Sequence, residues 1–237
     1  TVTAVSSQTA LLATDVADSS AGDFKAANDL IASLAQEKYA VAARIDLDTT
    51  ATTAARTVLL GRFKSGAGFV HYTGHGGVAN WSGKNLLKAT DVAGLNNPAS
   101  SPVTVALSCL VGRFEAPGVN SLGELLLRKA GGGSVAVWGP SGLSRNDPAA
   151  ALGAAFYRAV LREGSGTLGL AIQQARRSLP DDRFMKDTLA VYNLLGDPAL
   201  RIAGNTAGQS SDANFAQWRW QRFSPQALTN AAASGAT

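Results

Sequence analysis

Short apolar runs, each closed by polar or glycine-rich sequence, constrain this chain more than any other feature. They are TALLAT (9–14), YAVAARID (39–46), FVHYTGHGGVANW (69–81), VTVALSC (103–109) and SVAVWG (134–139). Runs of this length bounded by turn residues read as strands buried on both faces. Helical spacing fills the gaps. Phe24, Ala27, Leu30, Ile31 and Leu34 come after Asp23, a residue suited to an N-cap. Further helices are expected over 54–64 (capped by Thr52 or Thr53), as a short piece within 90–96, over 122–130 behind Ser121 and Glu124, from Asp147-Pro148 to about 163, and from Thr167 to 178. Residues 186–194 read as a last helical turn or two, and 199–203 as a short edge strand. Strands alternating with helices imply an α/β fold, a parallel sheet covered on both faces with right-handed crossovers. Ligands of such sheets bind beyond the carboxyl ends of the strands. Asp15, His75, Cys109 and the loop 140–147 all fall at that rim.

The chain of 237 residues suits one large α/β domain, and 46% hydrophobic with 16% charged residues is a globular profile. No run of 18 apolar residues is present, so no membrane span is expected. Neither an initiator Met nor a signal peptide stands at Thr1, and the chain reads as a mature form or an excised domain. The net charge of +4 is scattered. Only WRWQRF (218–223) combines basic and aromatic residues, and it lies in the tail, so nucleic acid is not an expected partner. From about Gly204 the composition turns to Ser, Asn, Ala, Thr and Gly, and 204–237 reads as a linker leading to a downstream module.

A single cysteine excludes an internal disulfide framework, and a lone thiol is either a small buried hydrophobe or a reactive group. His71 and His75 share a strand face, yet with Cys109 they lack the further ligands a zinc site needs, so no metal site is expected. Amide hydrolysis by a thiol needs a thiolate, an imidazole to manage protons, and backbone N–H groups facing the oxyanion. Cys109 and His75 end two strands that can lie side by side, about 4.8 Å apart. Gly76-Gly77 leave no side chain in the way, and the N–H groups of Gly76 and Cys109 are the candidate oxyanion donors. The bland alternative is a turn histidine beside a glycine pair and a core cysteine at a strand end.

YTGHGGVANW, succeeded at a distance by an apolar strand ending in SC with GRF after it, resembles the catalytic core of the gingipain family of cysteine peptidases. SLGELLLRKAGGGSVAVWGPS (121–141) and VYNLLGDPALRI (191–202) extend the likeness over roughly residues 9–203. The resemblance implies a caspase-like three-layer sandwich, with a mostly parallel central sheet flanked by helices, over a peptidase domain spanning 1–203. It implies His75 as general acid/base and Cys109 as nucleophile. A carboxylate at the end of the first strand would orient the histidine. Asp15 fits that position, with a one-residue shift or Asp18 as alternatives. It implies Asp23 as an acid at the base of the specificity pocket, although Asp23 also suits an N-cap, and Asn146 where relatives carry a tryptophan. Asp147 next to it is an alternative acid. These positions imply a weak preference for Arg or Lys before the cut. The chemistry requires no cofactor, and a structural role for calcium stays open, as does the oligomeric state. The expected partners are protein and peptide substrates. The resemblance and the low-charge composition together imply a secreted bacterial endopeptidase. A catalytically silent caspase-like binding module is the alternative; an α/β-hydrolase is disfavoured because no G-x-S-x-G elbow is present.

Overall fold

The computed structural model describes residues 4–5, 7–99, 101–202 and 205. In chain order the elements are β1 (Ala4–Val5), β2 (Thr9–Thr14), α1 (Phe24–Ala35), β3 (Ala40–Asp46), α2 (Thr52–Ser65), β4 (Phe69–Thr73), β5 (Gly76–Gly77), β6 (Asn80–Trp81), β7 (Leu87–Lys88), α3 (Ala89–Val92), β8 (Val103–Leu107), α4 (Leu122–Arg128), β9 (Ala136–Pro140), α5 (Asn146–Leu161), α6 (Leu168–Arg177), α7 (Arg183–Val191), β10 (Tyr192–Leu195) and β11 (Arg201–Ile202).

The apolar runs assemble into a six-stranded sheet of order β10-β9-β8-β4-β2-β3. Every neighbouring pair is parallel except β10 on β9. β4, β8 and β9 are buried along their whole length, which is why they read as continuous apolar runs. On one face Leu12, Phe69, Val105 and Trp138 pack with Ile31 of α1 and with Leu152 and Phe156 of α5. On the other, Leu11, Val70, Tyr72 and Ala106 pack with Leu59 and Phe63 of α2 and Leu122 and Leu126 of α4. The result is helix, sheet, helix in three layers.

Local signals set several boundaries. Asp23 caps α1 by accepting from Ala26 N–H at 2.7 Å. Ser121 and Glu124 form the expected capping box of α4, the Glu124 carboxylate taking Ser121 N–H at 2.8 Å. Thr167 caps α6 through Leu170 N–H. Neither Thr52 nor Thr53 caps α2: the helix starts at Thr52 itself, with Ala51 before it and no side-chain cap.

Other expectations are corrected. Residues 192–195 leave the helix for β10, which pairs antiparallel with β9 from Tyr192↔Pro140 to Leu195↔Val137. Tyr192 is buried there against Trp138, with ring centroids 5.8 Å apart. The segment 199–203 yields only β11, which pairs with β1 in a separate two-stranded sheet rather than edging the main one. β8 stops at Leu107, so Cys109 lies in the turn beyond it. The tail assignment, Asn205 excepted, falls outside the described residues. Asn205 itself is buried, donating to Val160 O and Ser165 O.

Candidate active site

Register places the site. Thr14 pairs with Thr73, and Thr73 with Leu107, so β2, β4 and β8 end at one height on one rim. Asp15 comes directly after the first, His75 lies two residues past the second, and Cys109 two residues past the third. Asp15 N–H still bonds Thr73 O at 3.0 Å and Gly74 N–H still bonds Leu107 O at 3.1 Å, extending the ladder to the edge of the site. A cavity of about 710 Å³ opens there, lined among others by His75, Cys109, Ser144, Asn146, Asp147 and Phe184.

The His75 ring is held on two sides. Its Nε2 lies 2.8 Å from Asp18 Oδ2, and the Phe24 ring meets it edge-on with centroids 5.1 Å apart. Asp18 is a surface acceptor with its pKa lowered to about 2. The Ser20 hydroxyl contributes most to this, then Ser20 N–H, then His75. A carboxylate so held is ionised and can only accept, so Nε2 carries a proton and Nδ1 keeps the lone pair when the ring is neutral.

Asp15 does not orient the imidazole. It is buried, and its oxygens take Val16 N–H (2.8 Å), Ser82 Oγ–H (2.5 Å) and His75 N–H (3.0 Å); the Tyr72 hydroxyl oxygen lies 3.2 Å away, but its one proton goes to His75 O at 2.6 Å. Those donors are the backbone and the Ser82 hydroxyl beneath the histidine, and none of them is the imidazole ring. The ring partner is therefore Asp18, the alternative position.

Cys109 is free and half-buried. Its Sγ lies 3.4 Å from Ser144 N, which donates to it, and 3.5 Å from Ser144 O. The loop carrying Ser144 is fixed from both sides. Leu110 N–H bonds Gly142 O at 3.1 Å, Ser141 N–H bonds Val191 O at 2.8 Å, and Asn193 Nδ2 reaches both Val191 O and Ser141 Oγ. Leu110, next to the thiol, adopts φ 59°, a left-handed conformation that a leucine takes only under constraint.

Gly76 shows how tightly the two loops meet. A Cβ added there would lie 2.5 Å from Cys109 O and 2.9 Å from Ser108 Oγ. Its N–H is not used by the small β5-β6-β7 sheet. Gly76 pairs with Trp81, but the bond across that ladder runs from Ser82 N–H to His75 O, which makes Gly76↔Trp81 a non-hydrogen-bonded pair. The Cys109 N–H also finds no acceptor among the described residues.

Of the expected pocket residues, Asn146 and Asp147 line the cavity at the start of α5. Asn146 Oδ1 is buried and has no hydrogen-bond partner among the described residues. Asp23 does not line it: its carboxylate is spent on capping α1. His71 lies in the interior, its nitrogens facing Thr73 Oγ1 (2.9 Å) and Tyr157 Oη (3.4 Å), well away from any shared ligand set. Among the described residues no group of three His, Cys, Asp or Glu is arranged to hold a metal ion, and no helix is long and apolar enough to cross a membrane.

The sequence profile of Peptidase family C25 matches residues 2–203. The chain belongs to Peptidase family C25. No curated protein matches it. Among solved structures it is similar to the Arg-specific cysteine proteinase gingipain R, with a TM-score of 0.73 at 19% identity, covering 85% of this chain and 50% of that one. The complex of the pro- and mature domains of RgpB from Porphyromonas gingivalis matches with a TM-score of 0.68 at 21% identity, over 83% and 49%. The separase–securin complex of Saccharomyces cerevisiae matches at 0.56 and 12%, over 84% of this chain and 12% of that one. The chain thus spans about half the length of the gingipain structures. At these identities the likeness speaks for the fold, which is caspase-like.

Within this C25 fold, several residues at the site escape sequence reasoning. In the sequence Phe24 reads only as a core position of α1, and Tyr72 only as part of a buried strand. Phe184, half-exposed on α7, carries the Arg145 guanidinium 4.5 Å over its ring at the cavity wall. Nothing in the spacing of Arg145 and Phe184 signals that they meet.

Proposed function

We propose that this C25 domain is a cysteine endopeptidase working through Cys109 and His75. The observation that carries the reading is the convergence of His75, anchored by an ionised Asp18, and the free Cys109 on one cavity at the carboxyl rim of the sheet. His75 Nδ1 takes the Cys109 proton, and Sγ attacks the scissile carbonyl carbon. The C–S bond forms as the carbonyl π pair moves to oxygen, facing the N–H groups of Gly76 and Cys109. Collapse of this adduct breaks the C–N bond, and the leaving amine takes the proton from the His75 imidazolium. Water, deprotonated by His75, then attacks the thioester. The acid departs, and the thiolate recovers its proton. None of these steps requires a cofactor.

A weak preference for Arg or Lys before the cut is the one we assign, on Asp147 and on Asn146 Oδ1, which has no partner among the described residues, at the cavity wall. Protein and peptide chains are the proposed substrates, and export from a bacterial cell is the proposed setting, which the low-charge composition supports. A catalytically silent binding module has one observation on its side, the hydrogen bonding of Cys109 Sγ to the Ser144 peptide.

A cleavage-site profile on a denatured proteome, with iodoacetamide labelling of Cys109, tests the reading. Cleavage is expected in the wild type, is abolished in Cys109→Ala, and falls by about 10²–10⁴-fold in His75→Ala. Cuts after Arg or Lys should lose that bias in Asp147→Asn. Labelling of Cys109 no faster than a free thiol, with no cuts, would leave the binding module as the reading.

A further inference from the structure

The carbonyl of His75 and the N–H of Gly76 belong to one peptide unit. No cis peptide is present among the described residues, so these two groups point in opposite directions. The carbonyl end is doubly held: it accepts from the Tyr72 hydroxyl at 2.6 Å and from Ser82 N–H at 2.8 Å. Those two bonds fill the acceptor capacity of the oxygen. Beneath it the buried Asp15 lies against the same three residues, taking His75 N–H and the Ser82 hydroxyl and standing 3.2 Å from the Tyr72 hydroxyl oxygen. Tyr72 is fixed in turn by stacking on Trp81, with centroids 4.7 Å apart and planes 5° from parallel. Ser82 adopts φ 63°, the left-handed region that a non-glycine residue seldom enters, and is fully buried there. Gly74 has no side chain because a Cβ would collide with Asp15 Cβ and the Tyr72 hydroxyl.

We propose that Asp15, Tyr72 and Ser82 are positioning residues that clamp the His75–Gly76 peptide and aim its N–H at the oxyanion. This rests on the peptidase reading above and adds a division of labour: Asp18 serves the imidazole, and Asp15 serves the oxyanion donor. Bonds accepted at the carbonyl polarise the peptide and strengthen its N–H as a donor. The clamp acts only when the substrate carbonyl becomes tetrahedral. It contributes nothing to alkylation of the thiol, which forms no oxyanion.

The test compares two reactions of Cys109. One is binding of a peptide aldehyde built on the acyl side of a peptide that the wild type cuts. Its carbonyl carbon bonds to Sγ, the π pair moves to oxygen, and that oxygen takes the thiol proton by way of His75, so the adduct mimics the tetrahedral state. The other is alkylation by iodoacetamide. In Tyr72→Phe, which keeps the ring on Trp81, aldehyde affinity and kcat are expected to fall about 10–100-fold, less than the 10²–10³-fold for outright loss of a donor. KM, the alkylation rate and its pH profile are expected to hold. Asp15→Asn should show the same split and serves if Tyr72→Phe does not fold. Unchanged aldehyde affinity in an active variant overturns the clamp while leaving the dyad intact. Equal losses of aldehyde binding and alkylation also overturn it, by showing a general collapse of the site. A wild type that cuts nothing and whose Cys109 alkylates like a free thiol overturns the peptidase reading itself, and the clamp with it.

Discussion

Acid should weaken this fold through one histidine that has no part in the proposed chemistry. His71 lies in mid-β4 with 0% of its surface exposed. Its nitrogens meet only the hydroxyls of Thr73 and Tyr157, and among the described residues no carboxylate reaches them. Burial lowers its pKa from 6.5 to about 3. The folded value lies below the unfolded one, so the unfolded chain binds a proton that the folded chain refuses. The contribution to stability is complete above about pH 6.5 and is lost as the pH falls towards 3. Each pH unit inside that window is worth about 1.4 kcal/mol, so descending from pH 6 to pH 4 removes about 2–3 kcal/mol. That is a large share of the roughly 5–15 kcal/mol by which a domain is stable. Urea unfolding of the wild type and His71→Leu at pH 6, 5 and 4 measures it. At neutral pH the variant should be the weaker by about 1–3 kcal/mol, because the Tyr157 and Thr73 hydroxyls lose their partner. The gap should then close by about 2–3 kcal/mol on acidification. Asp18, Asp29, Glu37 and Asp91, whose carboxyls are also held low, are common to both proteins and cancel. Parallel stability curves for the two proteins would refute the reasoning.

The site yields two further outcomes. Asp18→Asn removes the ionised acceptor from His75 Nε2 and should lower kcat/KM by about 10-fold or more, with Tm nearly unchanged because the residue is on the surface; unchanged kinetics would remove Asp18 from the site. Gly76→Ala forces apart the backbones of Gly76 and Cys109, where the new Cβ would lie 2.5 Å from Cys109 O. A displacement approaching 1 Å should cost about 10²-fold in kcat/KM, and a variant as active as the wild type would mean that the spacing of the two loops is not what sets the rate.

The rim is legible in the sequence because parallel strands advertise themselves as apolar runs, and their polar ends then stand out as Asp15, His75 and Cys109. What the sequence could not resolve was the division between Asp15 and Asp18. Both sit in the same turn, and only the fold shows that the first spends its oxygens on Ser82 and on the Val16 and His75 backbone rather than on the imidazole. Asp23 carries two meanings in the sequence, cap and pocket acid, and the local one holds because Ala26 N–H lies within reach at no cost in chain closure. β10 is hidden for a similar reason. Four residues, YNLL, directly continue a helical pattern, and their strand conformation is imposed by pairing with β9 rather than by their own periodicity. The small sheet of β5, β6 and β7 consists of two-residue strands whose pairing leaves no alternation to read.

β10 has a consequence in time. The loop that holds Cys109 through Ser144 is pinned by Val191 O and the Asn193 side chain, at the junction of the last long helix with the last strand of the main sheet. A chain leaving the ribosome exposes His75 and Cys109 first and this strand much later. The nascent domain therefore carries His75 and Cys109 before it owns the strut that shapes the cavity around them. Maturation of the site is tied to completion of the sheet, so a half-made copy cannot present the finished cavity to its neighbours.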